Sequence, residues 1–168
     1  MAVVGKTHLY NAGDEVIALT GGWINATAIA ANGTATETKN ATNLYLKTTT
    51  TATSASQAAG YHSPTNMIDL TNFTKLKMLY STALNLSAIG GGGRQSINIY
   101  ITTNADRSTG MSAAAVKELD TTGNITVTDG ISEVDVTALN SSYYIGLYST
   151  SYASIGSAES TIYKVWLE

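Results

Sequence analysis

His8 and His62 are the only imidazoles in this chain, and twelve Asp and Glu residues supply all of its carboxylate side chains. A histidine-based metal site would need both imidazoles together with carboxylates, and their contexts share no spacing pattern. No G-x-S-x-G elbow is present to activate a serine. A glycosidase needs two carboxylates flanking a cleft, but Asp14, Asp69, Asp106 and Asp129 sit at turns, where Asx-turn and capping roles account for them. The run Gly90–Gly93 before Arg94 lacks the Lys-Ser/Thr pair and the helix of a phosphate loop. It reads as a flexible hairpin tip, with Arg94 available to a partner. Catalysis is therefore not expected, and what remains is recognition by flat rings. The chain has ten tyrosines, two tryptophans and one phenylalanine. A half-exposed ring suits stacking on a sugar or packing at a protein interface. Trp23 directly after Gly21-Gly22, and Tyr61 beside His62, read as loop aromatics of this kind. With Arg94 they make the candidate ligand-binding set Trp23, Tyr61, His62 and Arg94.

The elements that must position these residues are short strands. Lys6–Tyr10 and Glu15–Leu19 are expected as strands around the turn Asn11-Ala12-Gly13-Asp14. Asn25–Ala31 reads as a strand or an irregular segment. Thr34–Lys39 and Asn43–Thr50 form a hairpin, and Thr48–Gly60 is either an edge strand or a loop. Pro64 falls in a polar loop. Alternation is longest over Thr74–Leu86, where Leu76, Met78, Tyr80, Leu84 and Leu86 share one phase. Ser96–Thr103 follows, with Ile97, Ile99 and Ile101 alternating against Asn98, Tyr100 and Thr102; the two segments predict an antiparallel hairpin with the glycines at its tip. Met111–Leu119 has some helical propensity but is too short and poorly amphipathic, so Ala115–Leu119 is read as a strand. Asn124–Thr128, Glu133–Val136, Tyr143–Tyr148 and Thr161–Leu167 complete the set, the last two joined by a small-residue loop. Tyr143 shares a phase with Ile145 and Leu147, and Tyr144 and Tyr148 share the other. About ten strands, frequent turn signals and no convincing helix predict an all-β, antiparallel β-sandwich over a single domain, residues 1–168.

Composition narrows the function classes. Charged residues are 12% of the chain against roughly 25% in an average protein. Hydroxyl and amide residues replace them, which suits extracellular particles, adhesins and sugar binders. The net charge of −3 comes with no basic cluster, so nucleic acid is not an expected partner. With no cysteine, disulfides and Cys-based zinc sites are excluded. No run of 18 apolar residues predicts a membrane span, and MAVVGKTHLYNAGDE does not read as a secretory signal. The N-x-S/T triplets at Asn25, Asn32, Asn40, Asn72, Asn85, Asn124 and Asn140 are expected by chance in a chain so rich in Asn and Thr.

Several segments carry a resemblance: LYNAGDE at 9–15, TGGW at 20–23, TKNATNLYL at 38–46, IDLTNFTKLKM at 68–78, and VDVTALNSSYYIGLYS at 134–149 closed by IYKVWLE. Together the chain resembles the jelly-roll β-sandwich modules of tailed-phage virion proteins, relatives of galactose-binding-like and carbohydrate-binding-module folds. The resemblance implies jelly-roll topology and first and last strands that lie close together. It implies a non-enzymatic virion structural protein that decorates a capsid or tail, with other virion proteins as partners and a homo-oligomer as one arrangement. Such a protein would be made in the host cytoplasm without a signal peptide and reside on the virion surface. The alternative is an adhesive carbohydrate-binding module that recognises host-surface glycans through Trp23, Tyr61 and their neighbours. No organic cofactor is expected. Sugar-binding jelly rolls often hold a structural Ca²⁺ near the first and last strands, for which Asp14, Glu15 and Glu159 are the candidates.

Overall fold

The computed structural model describes residues 5–107 and 112–168, the side chains of 112–114 excepted, so Met111 of the weakly helical segment lies outside it. In chain order the elements are β1 (Thr7–Asn11), β2 (Asp14–Glu15), helix α1 (Ile17–Thr20), β3 (Trp23–Ala31), β4 (Gly33–Lys39), β5 (Leu44–Thr51), β6 (Gln57–Pro64), β7 (Ile68–Asp69), β8 (Lys75–Thr102), β9 (Ser112–Leu119), β10 (Gly123–Asp135) and β11 (Ser142–Leu167). All the pairings are antiparallel. The chain is the expected all-β jelly-roll sandwich, but it is built from one curled sheet.

Two strands organise it. β8 runs for 28 residues and β11 for 26, side by side over nearly their whole lengths. The glycines at 90–93 are therefore not a hairpin tip. They form a bulge inside β8, opposite an irregularity at Ala153 in β11, where the register shifts. The small-residue stretch after Tyr148 is likewise not a loop but the middle of β11. The other strands break on the same line. β5 and β6 are separated by residues 52–56, β3 and β4 by Asn32, and β9 and β10 by residues 120–122. Asn32 (φ 51°), Ala55 (φ 51°), Gly92 (φ 72°) and Ala153 (φ 42°) all take left-handed backbone there. A bulge with such a residue bends a strand and strengthens its twist, and a row of them folds the sheet over.

The fold line makes two layers. The tyrosine layer runs β9, β8 (94–102), β11 (144–152), β6 and β3. The threonine layer runs β10, β8 (75–89), β11 (154–167), then β5 with β4, and also β1 with β2. Between them lie Leu44, Leu46, Leu76, Met78, Leu84, Leu86, Ile97, Ile99, Ile145, Leu147 and Ile162, all essentially inaccessible. Each large aliphatic side chain so buried contributes roughly 1.5–3 kcal/mol. Beside the bend the interior turns hydroxylic. Thr48 Oγ1 hydrogen-bonds with Ser149 Oγ (2.9 Å) and Ser151 Oγ (2.7 Å) across the layers. Gln95 accepts from Ser151 and donates to Ser154 Oγ (2.7 Å) and Thr50 Oγ1 (3.2 Å). These buried polar groups satisfy one another, which removes most of their burial cost.

Three local expectations change. The strand expected at Glu15–Leu19 is a two-residue bridge followed by α1. Thr20 returns its hydroxyl to the Val16 carbonyl (3.1 Å), and Gly21 ends the turn at φ 71°. Pro64 is buried at the end of β6, opposite Trp23, rather than in a polar loop. Asn124–Thr128 and Glu133–Val136 belong largely to one strand, β10, which bulges between Val127 and Gly130.

Candidate functional site

Antiparallel partners share a face of the sheet, so the registers give the outward surface of the tyrosine layer row by row. Ile24 pairs with Ser63 and Gly146 with Tyr100, and Ala26, Tyr61, Tyr148 and Asn98 form the next row. Ile29, Ala59, Thr150 and Ser96 follow, then Ala31, Gln57, Tyr152 and Arg94 beside the bend.

Three rings meet at the centre of this face. Tyr148 stacks on Tyr61, with centroids 4.8 Å apart and planes at 19°, and meets Tyr100 at 4.7 Å and 58°. Gly146 makes the room, because a Cβ there would come within 2.6 Å of the Tyr148 ring. The loop after β8 covers one end. Arg107 lays its guanidinium 4.0 Å from the centre of the Tyr144 ring and donates to the carbonyls of Ala105 (3.0 Å), Pro64 (3.3 Å) and Thr65 (2.7 Å). Its own carbonyl accepts the Tyr148 hydroxyl. Tyr148 is thus only 3% exposed, and burial holds its phenol well above the ordinary tyrosine range. Burial raises the Tyr100 phenol as well.

Toward the bend the same face opens into a cavity of about 170 Å³, lined by Ile29, Gln57, Ala59, Arg94, Tyr100, Thr150 and Tyr152. Tyr152 is 45% exposed, and the Arg94 side chain stands out from the surface, 3.6 Å from Glu118. Thr150 in the lining accepts at Oγ1 from Asn98 Nδ2 (3.1 Å), which also donates to Ser96 Oγ (2.9 Å). The cavity presents ring faces, hydroxyls, amides and a guanidinium. No carboxylate lines it among the described residues, and Glu118 approaches it only through Arg94.

The residues expected from sequence are only partly brought together here. Arg94 lines the cavity, but on a bent strand rather than a hairpin tip. Tyr61 lies on the same face, buried under its stack with Tyr148. Trp23 and His62 are corrections: neither is a loop residue, and both are buried. Trp23 opens β3, meets Tyr10 edge-on at 5.8 Å, and donates its indole N–H to the Leu9 carbonyl (3.0 Å). His62 has the opposite phase to Tyr61 and points inward, with Nε2 2.9 Å from the Tyr45 carbonyl. Burial pushes its imidazole down to about 4, so the ring is neutral at ordinary pH. The carboxylates considered for calcium do not form a donor set. Glu15 takes Lys39 Nζ at 2.7 Å and the Trp23 N–H at 2.9 Å, while Glu159 pairs with Lys47 at 3.2 Å. Asp14 is exposed, and no three His, Asp or Glu side chains converge among the described residues. A calcium cage needs six to eight oxygens, so these residues do not fit one.

Tyr100, Tyr152, Thr150 and Gln57 escape a reading of the sequence as site residues. A signal existed for Tyr100, which opposes the phase of Ile97, Ile99 and Ile101. None existed for Tyr152, whose neighbours read as a loop.

No family model matches this chain, and no curated protein does. Among solved structures it is similar to the family 11 carbohydrate-binding module from Clostridium thermocellum in complex with a β-1,3-1,4-mixed-linked tetrasaccharide. The identity is 12%, over 99% of this chain and 96% of that one, with a TM-score of 0.50. The family 11 module of the C. thermocellum cellulosomal cellulase Lic26A-Cel5E gives 12% identity, 99% and 95% coverage and 0.48. A mannan-recognising module, TmCBM27, gives 8%, 98%, 95% and 0.46. Likeness at these identities speaks to the fold alone, and the fold is that of β-sandwich carbohydrate-binding modules.

Proposed function

We propose that this chain binds carbohydrate, without turning it over, in the cavity on the outward face of the tyrosine layer. The observation that carries the reading is the composition of that cavity. A sugar ring has an apolar CH face and a rim of hydroxyls. Tyr100 and Tyr152 offer faces for the first, and Thr150, Gln57 and Arg94 offer partners for the second. A lone carboxylate, Glu118, beside Arg94 supports binding over glycoside hydrolysis, which uses a pair. The fold shared with the tetrasaccharide-bound family 11 module lends further support. A glycan on a cell surface would make the chain an adhesive module. The test is a glycan array followed by calorimetry with wild type and Tyr152→Ala, an exposed position whose loss leaves the core intact. Saturable binding that falls in the variant fits the reading, whereas an array without hits removes it.

A second reading, decoration of a phage capsid or tail, is compatible with the low charged content of the chain, 12% of residues. The two are compatible. Absence of the chain from purified particles by mass spectrometry would remove the second and leave the first.

A further inference from the structure

The outward face of the threonine layer is mostly polar, with Ile89 and Ile155 partly exposed beside the bend and one larger apolar area further from it. Across β10, β8, β11 and β5 one row reads Asn124, Asn85, Ser157 and Thr49, and the next Thr126, Ala83, Glu159 and Lys47. Further from the bend the rows change character. Ile131 pairs with Leu79 and Leu79 with Lys164, while Trp166 lies between Lys77 and His8. Ile131, Leu79 and Trp166 all have the outward phase. The β10 bulge, where Asp129 takes φ 50°, sets that phase for Ile131 and leaves it 64% exposed. An isoleucine held out of the core in this way leaves most of its burial energy unrealised within the chain.

These three apolar residues enclose, with Lys6, His8 and Lys164, a cavity of about 310 Å³. Its rim is cationic. The Lys6 ammonium lies 5.2 Å from the centre of the Trp166 ring, and its pairing with Glu168 is loose at 3.5 Å. Lys164 has no ion-pair partner among the described residues. Glu168 is shared: besides Lys6 it accepts from Lys77 at 2.7 Å and from the Trp166 indole N–H at 2.9 Å. His8, whose ring centre is 6.4 Å from that of Trp166, has an Nδ1 shielded from solvent and without a hydrogen-bond partner.

We infer that this cavity is a site for a small ring-bearing organic acid, its carboxylate between Lys6 and Lys164 and its ring against Leu79, Ile131 and Trp166. An ammonium beside apolar walls attracts a carboxylate more strongly than one in open water. The ring covers the exposed part of Ile131, which an inorganic anion would leave wet. The site lies on the other layer from the carbohydrate cavity and shares no residue with it, so the two stand or fall separately.

The test is an NMR titration of the full chain with benzoate, benzamide and glucuronate, which separate charge from apolar ring. Benzoate is expected to saturate with a Kd near about 1 mM. Benzamide, without the charge, and glucuronate, with a hydroxylated ring, should each bind about tenfold more weakly. Lys164→Gln and Ile131→Ser should each weaken benzoate by roughly fivefold, with melting temperatures unchanged as the check on folding. Equal affinity for benzamide overturns the anion assignment, and equal affinity for glucuronate overturns the apolar one. No saturation by about 50 mM benzoate, or unchanged binding in the Lys6→Gln, Lys164→Gln double variant, overturns the site as a whole.

Discussion

The two outward faces come from the same two strands and the same alternation, yet they offer different chemistry. In the threonine layer β8 turns Lys77, Leu79, Ser81, Ala83 and Asn85 outward; in the tyrosine layer it turns out Arg94, Ser96, Asn98 and Tyr100. The inward set changes parity between them, from even-numbered Leu76–Leu86 to odd-numbered Ile97–Ile101. β11 changes too, from odd Ile145 and Leu147 to even Ala158 and Ile162. The bulges at the fold line reset the phase, and that reset lets a continuous strand pack its aliphatic side chains inward in both layers. The faces then differ because one carries stacked rings beside a cavity walled by rings, hydroxyls, an amide and Arg94, and the other carries short polar side chains that give way to Leu79, Ile131 and Trp166 rimmed by Lys6 and Lys164. Backbone architecture alone does not make a site here; the side chains that each strand holds at its outward phase do.

The largest way to break that contrast is to prevent the bend. A Cβ on Gly90 would overlap the Thr53 carbonyl, a backbone atom that cannot step aside. Gly90→Ala is expected to cost about 3 kcal/mol, read as a lowered denaturant midpoint.

A second, smaller effect sharpens the difference between inward and outward on one strand. Tyr61 and His62 are neighbours on β6 with opposite phases. The His62 imidazole is held down to about 4 in the folded chain against an ordinary value near 6.5. Between those values the unfolded chain binds the extra proton, so stability should be complete above about pH 6.5 and fall as pH drops toward 4. The loss is at most roughly 3 kcal/mol. In His62→Gln that part of the pH profile should be flat, and a variant with the wild-type slope would place the titration elsewhere. Glu168, held down to about 2 chiefly by its bond with Lys77, acts in a lower window: its contribution is present above the ordinary glutamate range and is lost as pH falls toward 2.

At the small end, a Cβ added at Gly91 would meet nothing within 4 Å. Gly91→Ala should therefore stay within about 0.5 kcal/mol of wild type. A large effect at both Gly90 and Gly91 would mean that the whole run needs glycine for its backbone rather than for close approach.

Fold class was legible in the sequence because alternation is a local signal. The inward sets of both halves of β8 and of the Tyr143–Tyr148 part of β11 follow from it directly. Strand continuity was not legible. Gly90–Gly93 between two alternating segments satisfies a turn and a bulge equally well, and only pairing with the full length of β11 distinguishes them. The same ambiguity hid Tyr152, set among small residues that read as a loop. It also misplaced Trp23 and His62, whose glycine and proline neighbours suggested loops while the paired strands β3 and β6 buried them. Arg94 stands out in the sequence by its position after the glycines, although the reason for its exposure is the bend.

The most direct test of the carbohydrate account is calorimetric titration of wild type, Tyr152→Ala and Arg94→Ala with the strongest ligand from a glycan array. The account predicts saturable wild-type binding and about tenfold weaker binding in each variant, roughly 1.4 kcal/mol, at unchanged melting temperature. Wild-type affinity in both variants would contradict it.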